Sequence, residues 1–270
     1  ACRFHNPDIA NAITGQGRHF LQWTRDWFES RGYPVLYGDT DSVFVGSQLE
    51  DSGEAEKLGH ALAETMTRDV SAYIAERWRV DSRMELEFEK LYVKLFLPSV
   101  RHGAGGARKR YAGQRAGSDA VEFVGLEVVR RDWTELAKRV QRELFERLFK
   151  DAPVDEYLSE MVRALRAGEL DDLLVYRKGL RKSLESYTAN TPPHVTAARK
   201  LVEAEGGSPP RVIAYLMTVS GPEPVDALSH EPDREHYLDK QLRPVAEPVL
   251  GALGLDFAQV IGDDRQLGLF

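Results

Sequence analysis

The chain has 270 residues and a formal net charge of −7, and its shares of 42% hydrophobic and 29% charged residues are typical of a soluble globular protein. This length allows one large domain or two smaller ones, each with a core that needs no structural metal. The single cysteine, Cys2, excludes an internal disulfide and a zinc site built from cysteines. No apolar run approaches the roughly 20 residues of a membrane helix, and no signal-peptide pattern is present, so we expect no membrane partner and a cytoplasmic location.

The negative net charge alone does not exclude a nucleic-acid partner, because the basic residues are unevenly distributed along the chain. A net negative charge disfavours nucleic acid as a partner, because DNA-binding domains are often basic. However, the segment 101–115 contains five basic residues and no acid. A basic stripe on an acidic body remains compatible with DNA. The five residues are Arg101, Arg108, Lys109, Arg110 and Arg115.

The first predicted elements are a helix, a hairpin and a second helix. Asn6 can cap a long helix that Pro7 starts and Gly32 ends. The runs YPVLY and SVFV flank the turn GDTD and predict a β-hairpin. Apolar residues at helical spacing then predict a helix over about 54–78.

Short strands follow, and then the character of the chain changes. The run RMELEFEKLYVKLFL predicts a strand or a strand pair, and RKRYAG and AVEFVGLEVV predict two more strands around a glycine-rich loop. Up to about residue 130 the pattern predicts an α+β fold, in which helices cover an antiparallel sheet. Beyond it helices dominate: Asp132 can cap a helix that runs to about Phe149, another covers about 154–167, and RVIAYLMTV resembles a strand.

Two carboxylates, Asp39 and Asp41, stand out at the tip of the predicted hairpin. One interpretation is an ordinary turn, because Asp bonds its own backbone and glycine tolerates unusual φ angles. The other is a metal site, because two close carboxylates repel each other and a divalent cation relieves the repulsion. A rigid hairpin that presents carboxylates suits two-metal phosphoryl transfer.

Several segments carry a resemblance to a known family. YGDTDSVFV, residues 37–45, resembles motif C of the family B DNA polymerases, whereas a bare Asp-X-Asp also occurs in metal-dependent glycosyltransferases. The other segments follow in the order of that family and extend the resemblance nearly end to end, most of all to the bacterial DNA polymerase II group. These segments are RKRYAG (108–113), GLEVVRRDW (125–133), YRKGLRKSLESYTANTPPHVTAARK (176–200), SGPEPVD (220–226) and QLGLF (266–270).

The resemblance implies a fold and a metal site. It implies a palm portion over 1–130, a mainly helical thumb over 131–265 and a clamp-binding tail over 266–270. Asp41 would be the principal ligand of Mg²⁺, of which the complete enzyme uses two ions, and Asp39 would support it. One acid of the following strand would join them, and we favour Glu87 over Glu85 and Glu89, although a solvated strand face is an equally good interpretation.

The resemblance also implies DNA contacts. If residues 108–111 alternate along a strand, Lys109 and Tyr111 share a face. Lys109 would reach the minor groove of the primer–template, where acceptors occur at every base pair, and Tyr111 would place the primer backbone. The alternative is a solvated basic strand edge. For a lone histidine such as His194, a core or capping role is the commoner one. The residues expected to contact DNA are Arg108, Lys109, Arg110, Tyr111, Arg177, Lys178, Arg181, Lys182, His194, Arg199 and Lys200.

The C-terminal pentapeptide QLGLF resembles the motif by which bacterial proteins bind the sliding clamp. Gln266 would fix its orientation, and Leu267, Leu269 and Phe270 would fill an apolar pocket. A tail that docks on the chain's own core is the alternative interpretation.

The sequence therefore predicts a C-terminal fragment of a DNA-directed DNA polymerase. The parent would add dNTPs to a primer 3′-hydroxyl by two-metal nucleotidyl transfer in DNA replication or repair, including translesion or restart synthesis, at the bacterial nucleoid. The family's A motif and B motif are not in this sequence, so we expect the fragment alone to be inactive. A non-catalytic module that binds DNA and the sliding clamp is the alternative, and an unrelated glycosyltransferase leaves RKRYAG and QLGLF unexplained.

Overall fold

The computed structural model describes residues 6–98, 109–188 and 191–262. The chain forms two compact units, one of residues 1–109 with 113–119 and one of residues 110–112 with 120–270. Helices combine with small antiparallel sheets, so the predicted α+β class is confirmed. The boundary between the two compact units lies before Arg130, the residue at which the sequence composition changes. The division into palm and thumb stays a prediction.

The first helix begins and ends as predicted. Helix α1 spans Pro7–Glu29, and the side chain of Asn6 accepts hydrogen bonds from the N–H groups of Asp8 and Ile9. These bonds satisfy donors that the first helical turn leaves without partners. Gly32 follows the helix with φ +83°, a left-handed conformation that glycine adopts without a steric penalty.

The hairpin and the second helix complete the core of the first unit. Strands β1 (Val35–Asp39) and β2 (Ser42–Val45) pair antiparallel, as predicted, with a register irregularity between Val35 and Tyr37. Helix α2 spans Ser52–Trp78 and is capped by Asp51. The core shared by α1 and α2, against which β1 and β2 pack, is built from Trp27, Phe28, Met66, Val70 and Ile74.

The strand predicted to begin near residue 83 is not formed over residues 79–91. This segment has no regular secondary structure, and strand β3 begins only at Tyr92 and spans Tyr92–Phe96. The segment lies along α2 instead: Leu86 N–H donates to Thr67 Oγ1 (2.8 Å), and Phe88 covers Gly59 so closely that an added Cβ would lie 2.4 Å from its ring. A long-range contact therefore decides the backbone of this segment.

Two further strands follow β3. Strands β4 (Tyr111–Arg115) and β5 (Val121–Val124) extend the strand order to β3-β4-β5, and the division between the compact units falls within β4, after Ala112. The predicted strand AVEFVGLEVV is shorter than expected, because Glu127–Val129 forms a 3₁₀ turn.

The second unit starts with two amphipathic helices, α3 (Glu135–Phe149) and α4 (Asp155–Ala167). Asp132 was predicted to cap α3, which is wrong. The cap is Thr134, whose side chain accepts the N–H of Ala137, whereas Asp132 forms an ion pair with Arg130 (2.8 Å).

A small sheet and a helix form the middle of this unit. Strands β6 (Tyr176–Gly179), β7 (Val212–Thr218) and β8 (Gly221–Pro224) pair antiparallel in the order β6-β7-β8, so the strand predicted from RVIAYLMTV is confirmed. Helix α5 (Pro193–Glu205) packs on this sheet.

The last helices close the helical core. They are α6 (Arg234–Tyr237), α7 (Arg243–Ala252) and α8 (Phe257–Val260), and a π-helical turn, Leu238–Leu242, joins α6 to α7. Side chains of α3, α4 and α7 such as Leu144, Leu158 and Leu250 are fully buried. Within the described residues no helix is both long and apolar enough to span a bilayer.

Candidate functional site

The tip of the β1–β2 hairpin holds its two carboxylates on a strained turn. Asp39 is paired with Ser42 in the ladder, so Thr40 and Asp41 form the loop. The N–H of Asp41 donates to the carbonyl of Asp39 (2.7 Å), and Thr40 has φ +57°. A positive φ at the centre of such a three-residue turn is rare and strained, particularly for a β-branched residue. Strain of this kind is common at functional sites.

The two faces of β1 point to different surroundings. On one face an added Cβ at Gly38 would lie 3.5 Å from the side chain of Leu21 in α1. Tyr37 and Asp39 are two residues apart, so they project together from the opposite face. On that face Tyr37 packs against Phe44, which in turn stacks on Tyr92 of β3 (ring centroids 6.0 Å apart). The helix thus supports the hairpin from behind.

Lys109 contacts this face of the hairpin, although it lies 70 positions along the chain from Asp39. Its backbone N–H donates to the hydroxyl of Tyr37 (2.6 Å), and its Nζ lies 3.6 Å from Oδ2 of Asp39. The sequence around the hairpin contains no basic residue, so sequence reasoning left Asp39 without a cation. Local sequence carries no signal for this contact, because Lys109 arrives from a different segment.

The hairpin carboxylates fit part of a divalent-cation site. Asp39 keeps 30% of its side chain exposed, and Asp41 is exposed. Mg²⁺ commonly takes one or two protein carboxylates and completes its shell with water and substrate phosphates. Across residues 6–98, 109–188 and 191–262 no group of three or more His, Cys, Asp or Glu side chains could hold a metal. Among the described residues, the hairpin tip therefore offers two carboxylate ligands, Asp39 and Asp41, without a third ligand beside them.

Glu87 does not join the hairpin carboxylates in such a group. It lines an open groove beside α2, together with His60, Glu64 and Phe88. The exposure of the segment still alternates, with Glu85, Glu87 and Glu89 exposed and the residues between them partly buried, as expected for an extended chain. The role of Glu87 as a metal ligand stays a prediction.

The RKRYAG segment differs from its predicted conformation. Arg108 lies outside the described residues. Lys109 sits in a turn with φ +56°, and β4 begins only at Tyr111, which is partly buried. The predicted alternation of residues 108–111 along one strand is therefore wrong, because a left-handed residue interrupts the two-residue period before the strand starts.

Arg110 has an internal partner that sequence reasoning missed. Its guanidinium forms an ion pair with Glu127, whose side chain is only 5% exposed. Gln141 Nε2 donates to the other oxygen of Glu127 (2.7 Å), and Gln141 Oε1 accepts the N–H of Val128 (2.7 Å). A buried carboxylate needs such partners, because burying an unpaired charge is costly. Arg110 thus contributes to the fold of the second unit.

Four of the predicted DNA-binding cations are exposed side chains on or just after one strand of the second unit. Arg177 and Lys178 lie on β6, and Arg181 and Lys182 follow it directly; all four are exposed. Among the described residues no carboxylate lies within ion-pair distance of these four. The hydrogen bond from Arg130 lowers the pKa of Asp132, and the ammonium of Lys178 contributes to the same shift. These four residues, the β6 cations, can accept an anionic ligand.

The remaining predicted DNA contacts lie on α5. The guanidinium of Arg199 donates to the carbonyls of Leu184 and Tyr187 (3.0 Å each), so Arg199 braces the loop before the helix. His194 is partly buried at the start of α5, where burial and then the nearby Lys178 lower its pKa. It is therefore neutral at neutral pH.

Lys200, also on α5, faces a buried carboxylate. Its Nζ lies 3.6 Å from Oε1 of Glu223, whose side chain is 4% exposed. Burial alone raises the pKa of Glu223, but hydrogen bonds from the N–H of Ser229 and from the ring and N–H of His230 outweigh it, and the pKa falls to about 2. Glu223 therefore stays ionised and holds α5 and the loop after β8 together.

Comparison with known proteins decides the family. The family model described as DNA polymerase family B matches residues 1–247. The chain belongs to DNA polymerase family B. The resemblance seen in motif C is thereby confirmed, and homologous proteins of this family are named as DNA polymerases, which are nucleotidyltransferases.

Relatives of this polymerase family match all or nearly all of the chain. It is 43% identical to DNA polymerase II of Escherichia coli (strain K12), over 100% of this chain and 35% of that protein. It is 32% identical to DNA polymerase 2 of Aeropyrum pernix, over 98% of this chain and 31% of that protein. The chain thus spans about a third of the length of these relatives.

A solved structure of a family B polymerase supports the fold. The polymerase of the hyperthermophilic archaeon Pyrobaculum calidifontis superposes with a TM-score of 0.59 at 27% identity, over 94% of this chain and 31% of that one. The predicted clamp-binding residues of this polymerase chain, Gln266, Leu267, Leu269 and Phe270, lie outside the described residues. Their role stays a prediction.

Proposed function

We propose that the chain is the C-terminal palm and thumb part of a bacterial DNA-directed DNA polymerase. The parent would add dNTPs to a primer 3′-hydroxyl during DNA replication or repair, including translesion or restart synthesis. The family B match over residues 1–247 carries this proposal. The strained hairpin tip with two accessible carboxylates supports it, because nucleotidyl transfer needs acidic ligands on a rigid element.

In this proposal Asp41 and Asp39 hold Mg²⁺, and Glu87 is a further candidate ligand. A bound Mg²⁺ pair supplies activation of the primer hydroxyl and neutralises charge on the leaving phosphate. The chain's own contribution is to fix the carboxylates: β1 and β2 hold the turn, and α1 supports the strands from behind. The A motif and B motif are absent from the sequence, so the fragment would lack part of the ligand set and the nucleotide-binding helix.

The DNA contacts are proposed to come mainly from exposed cations without an ion-pair partner among the described residues. The β6 cations would contact phosphates. Lys109, whose ion pair with Asp39 is exposed, and Tyr111 would contact the DNA near the primer terminus. Phosphate contacts fix the register of the protein on a duplex without reading its sequence. Arg110 and Arg199 hold internal oxygens and Lys200 faces Glu223, so we assign these three primarily to positioning.

Primer–template binding by the chain tests the DNA-binding part of the proposal. Fluorescence anisotropy of a labelled duplex should show an affinity that falls with salt, because phosphate contacts release counter-ions. Arg181→Ala combined with Lys182→Ala should reduce the log–log salt slope by about 0.9 for each lost contact. Lys57→Ala, on the exposed side of α2, is the matched control. An affinity that does not respond to salt would contradict the proposal.

Primer extension tests the expected inactivity of the fragment. With Mg²⁺ and all four dNTPs, the chain alone should leave the primer unextended, since only part of the acidic ligand set is present. Extension by the purified chain would refute this expectation and would show that its two hairpin carboxylates suffice.

A second candidate function is a module that binds DNA and the sliding clamp without chemistry. It is favoured by QLGLF at residues 266–270, which resembles a clamp-binding peptide. Deleting these five residues should abolish clamp binding in a pull-down with purified clamp and leave the unfolding midpoint unchanged. Unaltered clamp affinity after the deletion would exclude this role for the tail.

A further inference from the structure

We propose that Lys109 is a built-in counter-ion of Asp39, held there by Tyr37, which a divalent cation displaces before the Lys109 ammonium can reach DNA. The inference rests on the proposed function, because it deepens the roles of Asp39 and Lys109 in that site. It adds Tyr37 as a positioning residue and couples metal binding to DNA binding through a single side chain.

The geometry of β1 brings the two contacts of Lys109 together. Tyr37 and Asp39 are separated by one residue on a regular part of the strand, so their side chains lie side by side on one face. The Tyr37 hydroxyl accepts the Lys109 N–H at 2.6 Å, and the ammonium of the same residue lies 3.6 Å from Asp39 Oδ2. Tyr37 thus anchors the backbone at the distance from which the lysine side chain reaches Asp39.

The backbone of Lys109 supports this anchoring role. Lys109 has φ +56°, a left-handed conformation that side-chain-bearing residues rarely adopt. Such conformations persist where surrounding contacts determine them. The Tyr37 ring is itself fixed by Phe44, with ring centroids 5.8 Å apart, and Phe44 stacks on Tyr92. A row of aromatic rings therefore fixes the hydroxyl that holds Lys109.

The Lys109–Asp39 contact can be replaced. The lysine side chain is 67% exposed and the aspartate side chain is 30% exposed, so water and salt screen the ion pair. A divalent cation carries twice the charge of the ammonium and takes carboxylate oxygens directly as ligands. Asp41, next but one in the chain and exposed, offers it a second carboxylate. Asp39 is therefore paired weakly with the Lys109 ammonium and remains accessible to a divalent cation, which would bind it more strongly.

Metal binding and DNA binding are coupled because the Lys109 ammonium cannot contact Asp39 and DNA at the same time. While Lys109 stays on Asp39, it is not available to a DNA strand. Once it leaves, the positive charge can contact DNA. Linkage requires that the effect be reciprocal: a divalent cation strengthens DNA binding by the same factor by which DNA strengthens binding of the cation.

Mn²⁺ binding to the whole chain, without DNA, tests the proposal. Free Mn²⁺ is measured by electron paramagnetic resonance at low ionic strength. Lys109→Gln removes the competing charge and should tighten Mn²⁺ binding by about twofold to fivefold, the range of an exposed ion pair. Tyr37→Phe removes only the anchoring hydroxyl and should also tighten binding, by a smaller factor. The matched controls, Lys57→Gln for net charge and Tyr33→Phe for loss of a hydroxyl, should leave Mn²⁺ affinity near the wild-type value.

The location of the ion is checked in the same samples. Bound Mn²⁺ should broaden the amide resonances of residues 38–43 in nuclear magnetic resonance spectra. Binding without broadening there, or no Mn²⁺ binding by the chain, would overturn the proposal. So would an Mn²⁺ affinity of Lys109→Gln or Tyr37→Phe equal to that of its control. None of these measurements involves DNA, so they can fail while salt-dependent DNA binding succeeds, and the reverse.

Discussion

Two acidic residues of the second compact unit and two of the first have opposite surroundings. In the second unit Glu127 and Glu223 are 5% and 4% exposed, and each is surrounded by donors from several segments. In the first unit Asp39 is 30% exposed, with one ammonium at 3.6 Å, and Asp41 is exposed at the hairpin tip. Carboxylates whose partners are all internal stabilise the fold. Carboxylates with remaining accessible oxygens can bind a ligand.

The basic residues show the same division. Arg110 and Arg199 donate to oxygens of the protein, whereas the β6 cations point to solvent without a carboxylate partner among the described residues. In the sequence these residues look alike, since all lie in basic segments that resemble polymerase motifs. The structure separates those that shape the unit from those available to phosphates.

The largest effect on stability is expected at Glu127. Glu127→Ala leaves the Arg110 guanidinium without its buried partner, which should lower the free energy of unfolding by about 3 kcal/mol, because breaking a buried pair strands a charge. Urea denaturation measures it. Glu203→Ala, an exposed acid on α5, is the control and should stay within about 0.5 kcal/mol. A loss no larger than that of the control would contradict the contrast between the units.

The next effect is a pH dependence carried by Glu223. Its pKa is lowered from 4.5 to about 2 in the folded chain, so its contribution to stability is present above pH 4.5 and is lost as the pH falls towards 2. Between pH 5 and pH 3 linkage predicts a loss of about 2 kcal/mol from this group. Urea denaturation at both pH values should show that Glu223→Gln lacks this part of the decline. Equal declines in the two proteins would show that Glu223 is not the group responsible.

A smaller effect is expected at Arg199. Arg199→Ala removes the donors to the carbonyls of Leu184 and Tyr187, which should cost about 1–2 kcal/mol. Limited proteolysis should then cut sooner within residues 184–188, since the loop loses its brace. Arg163→Ala, an exposed arginine on α4, should leave the cleavage rate unchanged. The same result for both variants would mean that Arg199 is available for other contacts.

The smallest effect on stability is expected at the hairpin tip. Asp39→Asn breaks an exposed ion pair and should change the free energy of unfolding by less than about 1 kcal/mol. Chemical denaturation beside the Glu127→Ala variant measures the contrast directly. A loss as large as that at Glu127 would place Asp39 among the structural acids and remove the distinction between the units.

The parts of the fold that sequence predicted are those decided locally. The Asn6 cap and the 35–45 hairpin follow from a few adjacent residues, and motif C is a contiguous match. Two of the predictions that failed depend on contacts between distant segments, whereas the α3 cap was misassigned between neighbouring residues, Asp132 and Thr134. Residues 79–91 lie along α2 because Phe88 packs against Gly59. Lys109 lies in a turn instead of a strand, and its N–H donates to the hydroxyl of Tyr37. The spacing of apolar residues within either segment does not indicate which distant residue it contacts.

Under the proposed function, the hairpin carboxylates serve chemistry rather than folding. In the proposed parent polymerase, Asp41→Ala should lower single-nucleotide incorporation at least about a hundredfold, since the loss of the proposed metal ligand would remove several kcal/mol of transition-state stabilisation. The melting temperature should stay at the wild-type value, and Asp81→Ala, an exposed acid of the same unit, should retain full activity. Undiminished incorporation by the Asp41→Ala polymerase would contradict the account.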